Sequence, residues 1–318
     1  MRFPPFVRFP LLVALLLAFV VPVAGCGGTK KKGKKGGLTI KKQLENAEAE
    51  STPDRQAGAF VKVARSQLKS GDKSGAKDSV RKAFEKLQGE GDANQFSPRL
   101  IEVAAFFAEM ADKKQAREAV KKSVELSEKI EDPIRRTKVL ADAGAIYGDK
   151  AKGLGDSKVA KETLAKASEV AEGVEERFRA EALAAVALGY TRGGLADAAT
   201  DMVGKLEEAA KSLEEPRAKA EALAAAANVQ AQIGKKDEAE ALLEEAAAAA
   251  KSVERMESKA YALLAVATAT TANGEHKKAL ALLKEADKAA DKVPEPDVQK
   301  IIVEKVRTTM AEVAKKAG

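Results

Sequence analysis

A turn signature recurs along this chain at a nearly constant interval, and that interval restricts the fold more than any other feature. In "GDKSGA" a small residue, Ala76, follows the turn residue Gly71 by five positions. The same step links Ala111 to Ala116, Gly155 to Ala160, Gly194 to Ala199, Gly234 to Ala239 and Gly274 to Ala279. Successive turn residues stand 40, 44, 39, 40 and 40 positions apart, the large departure being an insertion at residues 150–153. A second marker keeps phase with the first. Ile130, Val174, Leu213 and Val253, each followed by Glu, lie 19 residues after a turn residue, as does Val293, where a proline intervenes. A fixed period of this size means a solenoid, whose units cannot bury their apolar faces alone and so stack on one another.

Each unit contains two helical stretches. Leu223, Ala226, Ala227 and Gln230 trace one face of the first, spoiled only by the glutamine; Ala239, Leu242, Leu243, Ala246 and Ala250 trace one face of the second. Spacing of i, i+3, i+4, i+7 marks an amphipathic helix. Aromatics make up 4% of the chain against 45% hydrophobic residues, so the core must be built from Ala, Leu and Val. Such residues suit close-packed helices better than sheets. Thr52-Pro53, Ser97-Pro98 and Asp132-Pro133 read as helix starts, with a capping side chain before a proline at the first helical position. Glu215-Pro216 and Glu295-Pro296 keep the proline without the best caps.

The pattern resembles the tetratricopeptide repeat (TPR). Four residues on the first helix carry the likeness, followed by two on the second. They are Phe60, Val63, Ala64 and Gln67 with Ala76 and Val80; Leu100, Val103, Ala104 and Phe107 with Ala116 and Val120; Leu140, Ala143, Gly144 and Tyr147 with Ala160 and Leu164. Leu183, Val186, Ala187 and Tyr190 with Ala199 and Val203 continue it, as do Leu263, Val266, Ala267 and Thr270 with Ala279 and Leu283. The unit is longer than the 34-residue TPR and lacks its tryptophan, which keeps a HEAT-like array open as the alternative. The resemblance implies an all-α solenoid of about six helix-turn-helix repeats over residues 54–296. Residues 297–318 then form a last amphipathic helix, with Ile301, Ile302, Val306, Met310 and Val313 as its apolar stripe, that caps the array.

The amino terminus carries a different kind of signal. Arg2 and Arg8 precede an apolar run at residues 11–21, too short for a bilayer core and bracketed by Pro10 and Pro22. Small residues follow, so residues 1–25 read as an export signal. Val23-Ala24-Gly25-Cys26 resembles the lipobox of bacterial lipoproteins. That resemblance implies cleavage before Cys26, a covalent lipid on its thiol, and an envelope membrane location. Gly27, in place of Asp, favours the outer membrane where the cell has one. Residues 26–53 are then the lipidated cysteine and a flexible Gly/Lys tether; its lysines either rest on anionic headgroups or are merely solvated.

Charge and chemistry exclude other classes. Nine of the 55 basic residues precede Glu45, the first acid, and the remaining 46 face 48 acids. The repeat body is nearly neutral, which argues against a nucleic-acid partner. One cysteine and one histidine, His276 in the turn "GEHKKA", allow neither a disulfide nor a two-histidine metal site. "GLGD" at residues 153–156 follows no strand and lacks the rest of a phosphate loop. Glu207-Glu208 and Glu244-Glu245 recur at equivalent places and read as a surface stripe. No catalytic constellation and no cofactor is expected.

Binding remains. The TPR resemblance implies a concave groove along the first helices, lined by Arg65, Glu109, Asp142, Arg192, Asn228, Gln232 and Tyr261, with Ala184, Ala224 and Ala231 as a smooth surround. The expected function is a membrane-anchored scaffold that holds a protein or peptide partner, within an outer-membrane assembly or secretion complex. The alternative is an envelope spacer or self-associating protein with no discrete groove.

Overall fold

The computed structural model describes residues 39–317. They form fourteen α-helices and no strand. A short α1 (Ile40–Glu48) leads into six pairs: α2 (Pro53–Lys69) with α3 (Lys73–Lys86), α4 (Ala93–Glu109) with α5 (Lys113–Ser127), and α6 (Pro133–Gly148) with α7 (Ser157–Glu172). The pairs continue with α8 (Glu176–Arg192) and α9 (Ala196–Lys211), α10 (Pro216–Gln232) and α11 (Lys236–Ser252), and α12 (Met256–Ala272) and α13 (His276–Ala290). A single α14 (Pro296–Ala317) ends the array.

The six turn residues found in the sequence are, among the described residues, the six with positive φ: Gly71, Ala111, Gly155, Gly194, Gly234 and Gly274. Each closes a first helix in a Schellman turn. Asp72 N–H donates to the Gln67 carbonyl at 2.9 Å, Asp112 to Phe107 at 2.8 Å, Leu195 to Tyr190 at 2.9 Å, Lys235 to Gln230 at 2.9 Å and Glu275 to Thr270 at 3.1 Å. The left-handed residue frees these carbonyls from the helix ladder and lets the next residue satisfy them. The insertion preserves this closure, because Asp156 N–H still reaches the Tyr147 carbonyl at 2.6 Å. Asp149 Oδ1 orders the added residues by accepting from Ala151 N–H at 2.8 Å and Lys152 N–H at 3.0 Å.

Five positions on, Ala76, Ala116, Ala160, Ala199, Ala239 and Ala279 are each fully buried. The paired positions on the first helices are buried too, from Phe60 through Thr270. The 19-residue marker also acquires a role: Ile130, Val174, Val253 and Val293 are buried where each second helix hands over to the next first helix.

Each second helix packs on its own first helix and on the next one, and consecutive first helices also pack together. Consecutive second helices show no such packing. A stack that touches on one layer and gaps on the other bends toward the touching layer, so the first helices lie on the inside of the curve. At α6 and α8 the backbones themselves meet. A Cβ added at Gly148 would stand 2.4 Å from the Gly193 carbonyl oxygen, and one at Gly189 2.9 Å from that of Ala141.

Several local expectations are corrected. Residues 40–48, inside the stretch read as flexible tether, form α1; Thr39 caps it, and Ala47 is buried. Ser97-Pro98 starts no helix. Asp92 caps α4 earlier, accepting from Asn94 N–H at 3.0 Å, and Pro98 lies inside the helix. Ser97 is instead fully buried, its carbonyl accepting from Ser123 Oγ of α5 at 2.8 Å. Glu215 does cap: its carboxylate accepts from Arg217 N–H at 3.2 Å and Ala218 N–H at 2.7 Å. The Thr52 hydroxyl, by contrast, makes no cap bond. In α14, Ile302, Val306 and Val313 are buried against the last pair, but Ile301 is 60% exposed. His276 is the first residue of α13 rather than part of the turn.

Candidate functional site

The inner face of the first-helix layer is built in registers set by the repeat. Two residues before the buried Leu140, Leu183, Leu223 and Leu263 stand Lys138, Glu181, Glu221 and Tyr261. Leucine points between the helices, so a position two residues away on a 100° wheel points out of the packed layer.

Tyr261 sits at the best-defined point of this face. The Arg217 guanidinium lies 5.3 Å from its ring centroid and Lys305 Nζ 5.6 Å from it. One cation comes from α10 and the other from α14, so three successive first-layer helices converge on the ring. Arg217 Nε also donates to Glu221 Oε1 at 2.8 Å. Cation–π contacts of this length contribute about 0.5–1 kcal/mol each when exposed. Burial raises the Tyr261 phenol above its ordinary value, with Glu257 adding to the rise and Arg217 opposing it. Glu181 is exposed on α8, yet its carboxyl is partly desolvated. That partial desolvation raises its carboxyl, Lys138 opposes the rise, and Glu221 and Asp132 add to it.

The expected groove residues divide into groups. Arg192 Nη2 pairs with Asp142 Oδ1 at 3.0 Å, joining α8 to α6. Gln232 Nε2 donates to Asn228 Oδ1 at 3.1 Å within α10. Asn228 is only 6% exposed and belongs to the packed layer more than to its lining. Arg65 and Glu109 are exposed and are not drawn into either pair. Ala224 is buried between helices and lines nothing, while Ala184 and Ala231 are half-buried. The sequence reading missed Lys138, Glu181, Arg217, Glu221 and Lys305. Lys138, Glu181 and Glu221 were findable, since they share the register of Tyr261.

Among the described residues no group of three His, Cys, Asp or Glu side chains is placed to hold a metal, and no helix is long and apolar enough to cross a membrane. Glu207 is half-buried; desolvation raises its carboxyl, Lys211 opposes the rise and Glu245 adds to it. Cys26 and the export signal lie outside the described residues.

Six left-handed turns in period, six buried alanines behind them and directly packed first helices decide the architecture. The chain is an all-α, TPR-like solenoid. No protein-family model matches it, and neither does any curated protein. Solved structures similar to this TPR-like array include Ton1535 from Thermococcus onnurineus, at 13% identity and TM-score 0.43, covering 84% of this chain and 94% of that one. TPR-like repeats of a putative kinesin light chain from Podosopora anserina share 20% identity at TM-score 0.38, over 64% of this chain and 98% of the other. A Rap protein complexed with competence and sporulation factor shares 14% identity at TM-score 0.36, over 86% and 80%. Likenesses of this size add nothing to the fold already described.

Proposed function

We propose that this protein is a binding scaffold whose first-helix layer receives an extended segment of a partner protein, held at an envelope membrane through a lipid on Cys26. The observation that carries the binding reading is the convergence on Tyr261: an aromatic ring flanked by Arg217 and Lys305, with Glu221 beside it and Ile301 exposed on α14. An aromatic with alternating charges around it offers stacking area and directional hydrogen bonds in one place, as binding hot spots do. The lipobox-like Val23-Ala24-Gly25-Cys26 supports the anchoring part, and an outer-membrane assembly or secretion complex is the setting we favour. The mature chain then works as a tethered receptor with no chemistry of its own.

A photo-crosslinking residue at Tyr261, and another at Arg192, tests the binding part in cells. A discrete heterologous adduct from Tyr261 is the expected result; adducts only between copies of this chain would favour the spacer alternative. Cys26→Ala tests the anchor. The protein should move from the membrane to the soluble fraction and lose acyl labelling, and an unchanged distribution would sink the envelope reading.

A further inference from the structure

The outer layer carries a second feature that the inner groove does not use. Between α5 and α7, floored by α6, lies a cleft of about 450 Å³. Val124, Leu140 and Val170 give it apolar walls; Glu128, Arg136, Lys166 and Glu169 are its charged members.

Arg136 is the residue out of place. It stands four positions before Leu140, and in four other first-layer helices, though not at Phe96 of α4 or Lys219 of α10, the residue at that position has a settled role. It donates to a carbonyl at the end of the preceding helical segment. Gln56 Nε2 reaches the Glu48 carbonyl at 2.9 Å, Arg179 Nε the Val174 carbonyl at 3.3 Å, Lys259 Nζ the Lys251 carbonyl at 2.6 Å and Gln299 Nε2 the Asp291 carbonyl at 2.7 Å. Arg136 makes no such bond. The side chain as a whole is half-buried, but its Nε is buried with no hydrogen-bond partner in the protein, and among the described residues no ion pair joins it to Glu128 or Glu169. A buried guanidinium donor without an acceptor is a cost that folded proteins ordinarily remove. Here the donor borders the cleft, and an acceptor entering the cleft would complete it.

The lining narrows the choice of acceptor. Two cations and two acids make the cleft neutral overall, so a polyanion would meet Glu128 and Glu169 as repulsion. A single carboxylate on an aliphatic stem fits better: the carboxylate on Arg136, and the carbon chain against Val124, Leu140 and Val170. We infer that this cleft binds an acidic side chain, with an adjacent aliphatic residue, from a segment of a partner protein. The site lies on the opposite layer from the groove proposed above and stands or falls separately from it.

The test uses the full-length chain in detergent micelles, labelled with ¹⁵N-arginine. The probe is the peptide acetyl-Leu-Glu-Leu-amide, with acetyl-Leu-Gln-Leu-amide and inorganic phosphate as its comparators. The Arg136 Nε–H resonance, identified by its loss in Arg136→Met, should shift saturably with the Glu peptide. The Gln peptide should bind at least about tenfold more weakly, equivalent to roughly 1.4 kcal/mol. No shift at millimolar peptide, equal responses to the two peptides, or a response to phosphate alone would overturn the proposal. Thermal melting supplies an independent check. Because no other protein group pairs with the guanidinium, Arg136→Met should leave the melting temperature unchanged or raise it while abolishing the peptide response. A fall of several degrees would show that Arg136 holds the fold together and is not waiting for a ligand.

Discussion

The first three repeats and the last three reach the same geometry by different chemistry. In the first three, each second helix is capped by an aspartate: Asp72, Asp112 and Asp156 accept from Gly75, Gln115 and Val159 N–H at 2.8, 3.4 and 3.2 Å. In the last three, Leu195, Lys235 and Glu275 stand at that position and make no side-chain cap bond. Two of the aspartates also latch neighbouring repeats, Lys77 to Asp112 at 2.9 Å and Arg117 to Asp156 at 3.0 Å. Only one comparable latch with an acid–base pair occurs at the later turns, where Lys278 joins Glu240 and Glu275. The cores differ in step. Phe60, Phe84, Phe96, Phe106 and Phe107 fill the early cluster, with Phe84 and Phe107 meeting edge to face at 5.9 Å. The later cluster is dominated by alanine, leucine and valine.

The difference has a physical logic. Helix α3 begins Lys-Ser-Gly, whereas α11 reads "KDEAEALLEEAAAAAKS". Alanine, leucine and glutamate form helix readily, and glycine and serine do not. The early second helices therefore rely on caps and large aromatic contacts, while the later ones rely on intrinsic propensity and close approach.

The widest contrast should come from the core. Phe107→Ala should cost about 3–5 kcal/mol, whereas Thr270→Ala at the equivalent position should cost within about 1 kcal/mol; denaturant unfolding followed by helical circular dichroism compares them. Similar losses would erase the distinction between the two cores. Gly148→Ala attacks the seam where α6 meets α8. The new methyl would press on the Gly193 carbonyl, and overpacking of this kind costs about 1–3 kcal/mol. Loss of about 1 kcal/mol is expected from Asp112→Ala, and a gain of about 0.5–1 kcal/mol from Lys235→Asp, which gives a late turn the early solution. If Lys235→Asp is neutral, the late turns have no vacancy for a cap.

Acid should separate the same turns. Hydrogen bonds from Lys77 hold the Asp112 carboxyl below its ordinary value, and hydrogen bonds from Arg117 do the same for Asp156. A depressed folded-state value means that the stabilisation is complete above the unfolded-state value, near 3.9, and is lost as pH falls through the lower folded value. Amide exchange read segment by segment should show the turns at Asp112 and Asp156 loosening below about pH 4. The turns at Leu195 and Lys235, which have no such carboxylate, should not respond. The smallest effect is expected at Ala111, the one left-handed turn residue that is not glycine, with φ 59°. Ala111→Gly should stabilise by up to about 1 kcal/mol, because relief of the left-handed penalty exceeds the entropy that glycine adds to the unfolded chain.

The sequence by itself determined the period, the six turns and the buried small residues. Each depends on chemistry local to one repeat: a left-handed turn wants glycine, and a close helix crossing wants alanine. The early start of α4 escaped because Ser97-Pro98 offered a strong local signal. Burial of Ser97 beneath α5 and an effective cap at Asp92 outweighed it. Only the tertiary structure decided which distant side chains meet. Asp142 finds Arg192, and Tyr261 is held between Arg217 and Lys305, across helices about one repeat apart. Arg136 is left facing a cleft while four of its counterparts bond to the backbone. Such pairings depend on how far each helix slides and turns against the next. That displacement is set by packing over the whole interface and leaves no mark in any single stretch of sequence.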